Sequence, residues 1–318
     1  MKKLFCILAI MVIAVFFHTQ AETNLSLDGR VIILDAGHGL GASNRFAGYD
    51  EQVRMLLLAQ KIQRELEARG ATVYMTRPAQ ADVLLPVRVA LMNKWSLEAI
   101  RAERLQALNS APPSQRTTLQ NEIAEINRLI DITERIIRNP GVYAPIYINT
   151  PFDMTLTRRI HPDWRRIFEL QSTPLIRNNF LVISLHSNAS PSLSVNGADV
   201  FFSTNCNPRN INYFANYSHE DNMRIFGDIL LDNIHNIGIN RRSVIPHHWL
   251  IIRENNLPSV LVENGFHTNA RDRSLLMDDN FMARLAMVYV NSIEKYFAVI
   301  TPEVVEEIVA TPLGKAIP

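Results

Sequence analysis

The sequence predicts an α/β fold with a mainly parallel central sheet flanked by helices, together with a helical-hairpin insertion. Three short runs of Val, Ile and Leu support this fold, because such runs are typical of strands buried on both faces. The runs cover residues 31–34, 180–185 and 260–262. Each is followed closely by a residue that can bind a metal or carry a proton, namely His38, His186 or Glu263. Since ligands of open α/β sheets bind beyond the carboxyl ends of the strands, these three side chains should converge on one crevice.

The composition excludes two kinds of partner. The chain has 318 residues, of which 47% are hydrophobic, which is enough for one large domain or two small ones. Its 32 Lys and Arg residues balance 31 Asp and Glu residues. We therefore expect no basic surface that would bind nucleic acid or an anionic membrane.

The first 21 residues have the layout of a bacterial secretory signal peptide. Lys2 and Lys3 precede an apolar stretch over residues 4–17, and the residues that end at Ala21 suit a cleavage site. An uncleaved membrane anchor is the alternative, although the stretch is short for a bilayer span. We expect an exported protein of the periplasm or cell envelope, without stable membrane association after cleavage. The mature chain would keep only Cys206, which excludes an internal disulfide.

After the first strand, the periodicity predicts a strand–helix–strand unit. Between Glu51 and Arg69 apolar residues recur every three or four positions, which predicts a helix that Gly70 ends. Residues 72–76 form the next predicted strand, and Pro86 suits the first turn of a second long helix.

The second long helix leads into a segment unlike the rest of the chain. It continues up to residues 111–114, whose sequence Ala-Pro-Pro-Ser breaks the helix. Beyond them, apolar residues from Leu119 to Ile137 are spaced by four, three, four and seven positions, which is a heptad seam. We expect residues 96–139 to form a helical hairpin, followed by an ordered loop over residues 140–179.

Strands and helices alternate again in the second half of the chain. The predicted strands cover residues 180–185, 198–203, 249–253 and 259–262. The predicted helices cover residues 222–237 and 281–297, and residues 301–318 are expected to form a loosely ordered tail. Such alternation is typical of an α/β fold with a mainly parallel sheet.

Three residues match the ligands of a catalytic metal. His38 and His186 follow strands, and Glu51 opens a helix. Each alone is explained by a structural role, such as a hydrogen bond or an interaction with the helix dipole. Together, two His and one Glu are a set that a catalytic zinc uses, with a fourth position left for water. Glu263 is suited to take a proton from that water, and an ion pair is its alternative role.

Several short motifs occur in order along the chain. They are V-I-I-L-D-A-G-H-G, the Glu that opens the next helix, G-A-T-V-Y-M-T-R, L-P-V-R-V-A-L-M-N, I-S-L-H-S-N-A, G-A-D-V-F-F and P-S-V-L-V-E-N-G-F-H-T-N. In this order they resemble the zinc-dependent N-acetylmuramoyl-L-alanine amidases of bacterial cell walls, the amidase_3 family. The resemblance implies a catalytic domain over residues 22–300 that is interrupted by an insertion over residues 96–178, where related enzymes commonly need only a short link.

The resemblance also implies the roles of the candidate residues. His38, Glu51 and His186 would be zinc ligands, and Glu263 would be the catalytic carboxylate. Asp50 directly precedes Glu51, but Glu51 is the residue that stands just before the amphipathic helix. The implied reaction is hydrolysis of the amide bond between N-acetylmuramic acid and L-alanine of the stem peptide. Zinc would activate the water, and Glu263 would move its proton to the leaving amine.

The expected partner is peptidoglycan, and its contacts are less well defined than the metal site. Asn188, Arg253 and Asn264 lie next to site residues in the sequence and are weak candidates for substrate binding. The insertion is predicted to cover the cleft or to dock an activator protein, with a simple structural extension as the alternative.

Two other functions fit the same sequence. One is a zinc hydrolase that cuts a different amide bond of the cell wall. The other is a non-catalytic wall-binding protein with the same fold, which would have no need of Glu263.

Overall fold

The described part of the chain contains eight strands. The computed structural model describes residues 26–41, 44–149, 160–204, 214 and 216–301. Its strands are β1 (Val31–Ala36), β2 (Arg45–Phe46), β3 (Tyr49–Asp50), β4 (Thr72–Met75), β5 (Phe180–Asn188), β6 (Ala198–Phe202), β7 (Arg241–Pro246) and β8 (Ser259–Phe266). The predicted signal peptide and all of the predicted tail except Thr301 lie outside the described residues.

Six of these strands form one sheet in the order β4-β1-β5-β8-β6-β7. The first four strands in this order are parallel to one another. Strand β6 is antiparallel to β8, and β7 is parallel to β6. The remaining strands, β2 and β3, pair as a small hairpin between β1 and the first helix. The mainly parallel sheet of the predicted α/β fold is therefore confirmed.

Helices cover both faces of this sheet. In chain order they are α1 (Glu51–Glu67), α2 (Leu85–Ser110), α3 (Pro113–Arg138), α4 (Pro140–Tyr147), α5 (Pro162–Leu170), α6 (Pro174–Asn179), α7 (Glu220–Asn236), α8 (Leu250–Arg253), α9 (Ala270–Met277) and α10 (Asp279–Ile300). One apolar core lies between the sheet and α1, α7 and α10. A second core lies between the other face and α2, α3, α5 and α8.

Alternating residues of each central strand enter the two cores. In β1, Ile32 and Leu34 belong to the first core, whereas Ile33 belongs to the second. Both faces of the strand are thus buried, which explains why its sequence is a continuous apolar run instead of an alternating one. The same burial holds β1 and β5 in place, and their carboxyl ends carry two of the candidate site residues.

The predicted helical hairpin is confirmed, and only its base is buried. Helices α2 and α3 pack against each other around a turn at Ala111 and Pro112. Ile100 of α2 and Ile126 of α3 are fully buried in the second core. Between these two residues, every side chain except Ala111 is exposed or partly exposed. We refer to residues 101–125 as the hairpin arm.

Two local predictions were wrong, and one strand was missed. Residues 249–253 form the short helix α8 instead of a strand, because an apolar run buried on all sides carries no periodicity that would distinguish the two. The expected loop over residues 140–179 contains the short helices α4, α5 and α6, each of which begins with proline. In α5 the spacing of Trp164, Ile167 and Phe168 is a helical signal that the sequence did contain. Strand β7 was not predicted, since its mostly exposed sequence lacks an apolar run.

The described helices are too short or too polar to cross a lipid bilayer. None of them, within the described ranges, combines the length and the apolar character that a membrane crossing requires.

Candidate metal centre and active site

His38 lies in a strained turn directly after β1. Its φ angle is 59°, in the left-handed region that costs a non-glycine residue about 1–2 kcal/mol. The preceding Gly37 has no room for a side chain, since a Cβ atom there would lie 2.5 Å from Cε1 of His186. The turn therefore places the backbone of Gly37, next to His38, in direct contact with the ring of His186.

Glu51, the first residue of α1, stands at the centre of the candidate ligands. Its side chain is 0% exposed, with Oε2 3.1 Å from Nε2 of His38 and Oε1 3.1 Å from Nδ1 of His186. The two imidazole rings meet edge to face, with their centroids 4.9 Å apart. One donor atom from each of the three residues lies within 4.8 Å of the others. The structure thus brings together the three residues that the sequence proposed as metal ligands.

The surroundings of Glu51 keep its carboxylate charged and oriented. Asn44 donates to Oε2 at 2.7 Å, and the backbone N–H of Ser187 donates to Oε1 at 2.9 Å. Burial acts to raise the pKa of Glu51, but hydrogen bonds from His186 and His38 outweigh it and hold the pKa well below its usual range. Two imidazole nitrogens and a charged carboxylate oxygen, oriented by further hydrogen bonds, are a donor set that fits a zinc ion.

Glu263 lies beside His186 on the neighbouring strand. The registers of β8 pair Glu263 with His186 of β5 on one side and with Asp199 of β6 on the other. Paired residues of adjacent strands point to the same face, so the three side chains lie in one row. The residue keeps some exposed surface, but its Oε2 atom is buried and makes no hydrogen bond within the described residues.

This environment changes the acidity of Glu263. Burial, followed by the charges of Glu51 and Asp199, raises the pKa of Glu263 well above its usual value. A carboxyl group with a raised pKa is suited to exchange protons near neutral pH. Beside the candidate ligands, it has the properties that a general base requires.

Asn264 does not face the cleft. It follows Glu263 on β8, and successive residues of a strand point to opposite faces. Its side chain is fully buried, donates to the backbone carbonyl of His186 at 3.1 Å and accepts from the hydroxyl of Tyr289 at 2.7 Å. Asn264 therefore supports the strand that carries His186, and the predicted substrate contact does not fit its burial.

The other two substrate-binding candidates also differ in their accessibility. Arg253 is fully buried at the end of α8, where it bonds to Glu254 at 2.8 Å and to the carbonyl of Asn149 at 3.3 Å. Its predicted substrate contact does not fit this position. Asn188, the last residue of β5, is partly exposed, and its Oδ1 accepts from the backbone N–H of Ala189. Of the three candidates, Asn188 alone remains open to a ligand.

A hydrogen-bonded group behind the ligands was not predicted from the sequence. The hydroxyl of Tyr49 donates to Oγ of Ser187 at 2.8 Å, and this oxygen lies 3.1 Å from Nδ1 of His267. The rings of Tyr49 and His267 are stacked, with their centroids 5.1 Å apart. These contacts fix Ser187, whose backbone N–H binds Glu51. Since they join distant segments, no local pattern could have indicated them.

Two buried arginines were also missed. Arg77 and Arg88 bond to the backbone of the turn that contains His38. Both residues occur in motifs that carried the family resemblance, T-R and L-P-V-R, but a motif does not specify the contacts of its side chains.

The sequence around this site matches a known protein family. Residues 32–100 and 153–295, more than half of the chain, match the profile of the Amidase_3 family, described as N-acetylmuramoyl-L-alanine amidase. The chain belongs to the Amidase_3 family. The match includes all of the candidate ligands and Glu263, whereas residues 101–152, which contain the hairpin arm, lie outside it.

Curated relatives of this Amidase_3 protein include two from Bacillus subtilis (strain 168). The uncharacterized protein YqiI is 26% identical over 117 residues, which cover 37% of this chain and 51% of YqiI. The N-acetylmuramoyl-L-alanine amidase LytC is 28% identical over 117 residues, which cover 37% of this chain and 21% of LytC. The matched region therefore spans about half or less of each relative.

Two solved structures of amidases are also among the proteins similar to this chain. The catalytic domain of CwlV from Bacillus (Paenibacillus) polymyxa var. colistinus is 18% identical, with a TM-score of 0.49 over 85% of this chain and 99% of that chain. AmiC2 of Nostoc punctiforme is 19% identical, with a TM-score of 0.49 over 84% of this chain and 97% of that chain.

Proposed function

We propose that this Amidase_3 protein is a zinc-dependent peptidoglycan amidase. It would hydrolyse the amide bond that joins N-acetylmuramic acid to L-alanine of the stem peptide. The observation that carries the proposal is the convergence of His38, Glu51 and His186 beside Glu263 in a chain of this family. Export to the cell envelope, where this substrate lies, is part of the proposal.

The residues of the site divide the chemistry between them. His38, Glu51 and His186 would hold the zinc ion, since their donor atoms already face one another. When bound, zinc supplies Lewis-acid polarisation of a carbonyl and activation of a water molecule. The protein must then move one proton from that water to the leaving nitrogen.

Glu263 is the group that we assign to this proton transfer. Its Oε2 atom is buried without a hydrogen-bond partner among the described residues, so it is free to accept the proton of the attacking water. From this position the carboxyl group can hold that proton until the amide nitrogen takes it. Asn188, at the end of β5, is the substrate-binding candidate that remains accessible beside the site.

Digestion of purified sacculi tests the proposed reaction. The purified protein is incubated with sacculi and zinc, and the released fragments are identified by mass spectrometry. Free stem peptides that begin with L-alanine are expected. Shortened or otherwise altered stem peptides would show instead that the protein cuts another amide bond. Binding to sacculi without any release would show a non-catalytic wall-binding protein, and a Glu263→Gln variant serves as the inactive control.

We also propose that the hairpin arm covers the cleft or docks an activator. Removal of residues 96–139 is a poor test, because it would also remove Ile100 and Ile126 from the second core. Replacing only residues 103–123 with a short Gly-Ser linker keeps the buried base. If this variant matches the intact protein in basal sacculus digestion and in binding of envelope proteins, the arm is a structural extension.

A further inference from the structure

Arg77 connects the two chain segments that carry His38 and Glu51. Its side chain is completely buried. Its Nε donates to the carbonyl of Ala36 at 3.0 Å, and one terminal nitrogen donates to the carbonyls of Gly37 and Gln52, each at 2.9 Å. Gly37 directly precedes His38, and Gln52 directly follows Glu51. One guanidinium thus binds the backbone beside two of the three candidate ligands.

Arg88 holds the same turn from another direction. It lies in the first turns of α2 and is 3% exposed. One terminal nitrogen donates to the carbonyl of Ala36 at 2.8 Å and to Oδ1 of Asp35 at 3.0 Å, and the other donates to the carbonyl of His38. Asp35 is held in turn by a hydrogen bond from Ser184 at 2.6 Å. The charge of Arg88 is therefore paired, and its position is fixed by its neighbours.

Together the two arginines bind three successive carbonyl groups, those of residues 36, 37 and 38. The orientation of these carbonyls defines the backbone angles of the turn in which His38 adopts its left-handed conformation. A non-glycine residue does not favour that conformation by itself. The planar guanidinium, with several donors in a fixed arrangement, can hold such a set of acceptors, whereas a lysine ammonium on a flexible stem cannot reproduce it.

We propose that Arg77 and Arg88 are positioning residues that set the metal affinity of this protein. They hold the strained turn of His38, and Arg77 keeps that turn in register with the start of α1, where Glu51 lies. The inference rests on the metal centre of the proposed function. It adds that two buried cations, neither of which is a metal ligand, hold the ligand-bearing turn through its backbone carbonyl groups.

Metal binding by Arg77→Lys and Arg88→Lys variants tests this inference without an activity assay. Zinc affinity is measured by competition with a chromogenic chelator, and the visible absorption spectrum of the cobalt-substituted protein reports the coordination geometry. Groups that orient metal ligands typically change affinity 10- to 100-fold when mutated. We expect each variant to lose about 10- to 100-fold in zinc affinity and to show a shifted or weakened cobalt spectrum.

Arg69→Lys is the matched control. Arg69 is also mostly buried and bonds to Glu65 and Glu294, but it lies beyond the far end of α1, about 25 Å from Glu51 along the helix. Thermal unfolding of each metal-free variant measures the general loss of stability. We expect Arg69→Lys to lower the melting temperature without any change in zinc affinity or in the cobalt spectrum.

The possible results separate the inference from the function on which it rests. Wild-type zinc affinity and an unchanged cobalt spectrum in folded Arg77→Lys or Arg88→Lys would overturn the positioning role while leaving the metal centre intact. If one of the two variants does not fold, the zinc affinity and cobalt spectrum of the other variant test the positioning role. Failure of the wild-type protein to bind zinc would refute the metal centre itself, and the positioning role with it.

Discussion

Replacement of Glu263 by glutamine should stabilise the metal-free protein while abolishing turnover. The carboxyl group has a buried oxygen without a hydrogen-bond partner among the described residues, and its row on the sheet also contains Asp199. Leaving a buried polar group unsatisfied costs about 1–3 kcal/mol, and more when the group is charged. Glutamine removes the charge and keeps the shape. General acid–base catalysis contributes about 100- to 10,000-fold, which is the loss of rate that we expect.

The stabilisation should depend on pH in a defined direction. Burial and the charges of Glu51 and Asp199 raise the pKa of Glu263 in the folded protein, whereas an unfolded glutamate has a pKa of about 4.3. Above pH 4 the folded state therefore binds more protons than the unfolded state, and stability falls as the pH rises toward the folded pKa. The loss is about 1.4 kcal/mol for each unit by which the pKa is raised. Glutamine does not titrate, so the variant escapes this loss.

Thermal unfolding in the presence of a metal chelator measures the difference. At pH 7 we expect Glu263→Gln to melt at least about 2 °C above the wild type, since about 1 kcal/mol shifts a domain of somewhat more than 250 residues by roughly that amount. The two curves should converge below pH 4. The exposed Glu67 provides the control Glu67→Gln, which removes a surface carboxyl group and should not raise the melting temperature by a comparable amount. A variant that is no more stable than the wild type at pH 7 would refute the reasoning about burial, and near wild-type digestion of sacculi would remove Glu263 from the mechanism.

Three further predictions concern the ligands, the buried ion pair and the insertion. His186→Ala removes one donor of the metal centre, so elemental analysis should show less than one zinc ion per protein. Circular dichroism should show that the fold is retained. One bound zinc ion per protein would contradict the assignment of His186 as a ligand. Asp35→Asn leaves the buried guanidinium of Arg88 without its countercharge, which should cost about 3–5 kcal/mol in urea unfolding at pH 7. Burial acts to raise the pKa of Asp35, but Arg88 and the hydrogen bonds to Asp35 lower it overall. The stability that the wild type gains over Asp35→Asn should therefore shrink as the pH falls below about 4, where Asp35 becomes protonated. A difference in unfolding free energy that grows in acid would contradict the pairing. Ile126→Ala, at the buried base of the hairpin, should lower the free energy of unfolding by about 2–5 kcal/mol, whereas Leu119→Ala on the arm should lower it much less. Equal losses of unfolding free energy would mean that the arm is packed as tightly as its base.

The parts of the structure that follow from local patterns could be predicted from the sequence. Continuous apolar runs indicated β1, β5 and β8, and their ends located His38, His186 and Glu263. The spacing of apolar residues likewise indicated α1 and both helices of the hairpin. These signals exist because burial of a strand on both faces requires a continuous apolar run, and burial of a helix on one face requires apolar residues every three or four positions.

Features that depend on contacts between distant segments could not be predicted in this way. The antiparallel direction of β6 and its register against β8 together place Asp199 beside Glu263, and both depend on pairing between distant segments. The bonds from Arg77 to two separate backbone segments have no local pattern. The burial of Asn264 is different, because alternation along β8 already places it on the face opposite Glu263. That signal was present in the sequence and should have excluded Asn264 from the cleft.

The unbroken course of α2 has a consequence for how the insertion is oriented. The helix runs from Leu85 to Ser110, so its first turns hold Arg88 against the site and its last turns belong to the hairpin arm. In an α-helix each residue adds about 1.5 Å of length and about 100° of rotation. The arm therefore leaves the protein along the axis of α2, and the number of residues in α2 sets which helix face each arm residue presents. Adding or removing a single residue in α2 between the base and the arm would rotate the α2 half of the arm by about 100° against α3, which is anchored separately at Ile126, without altering the site.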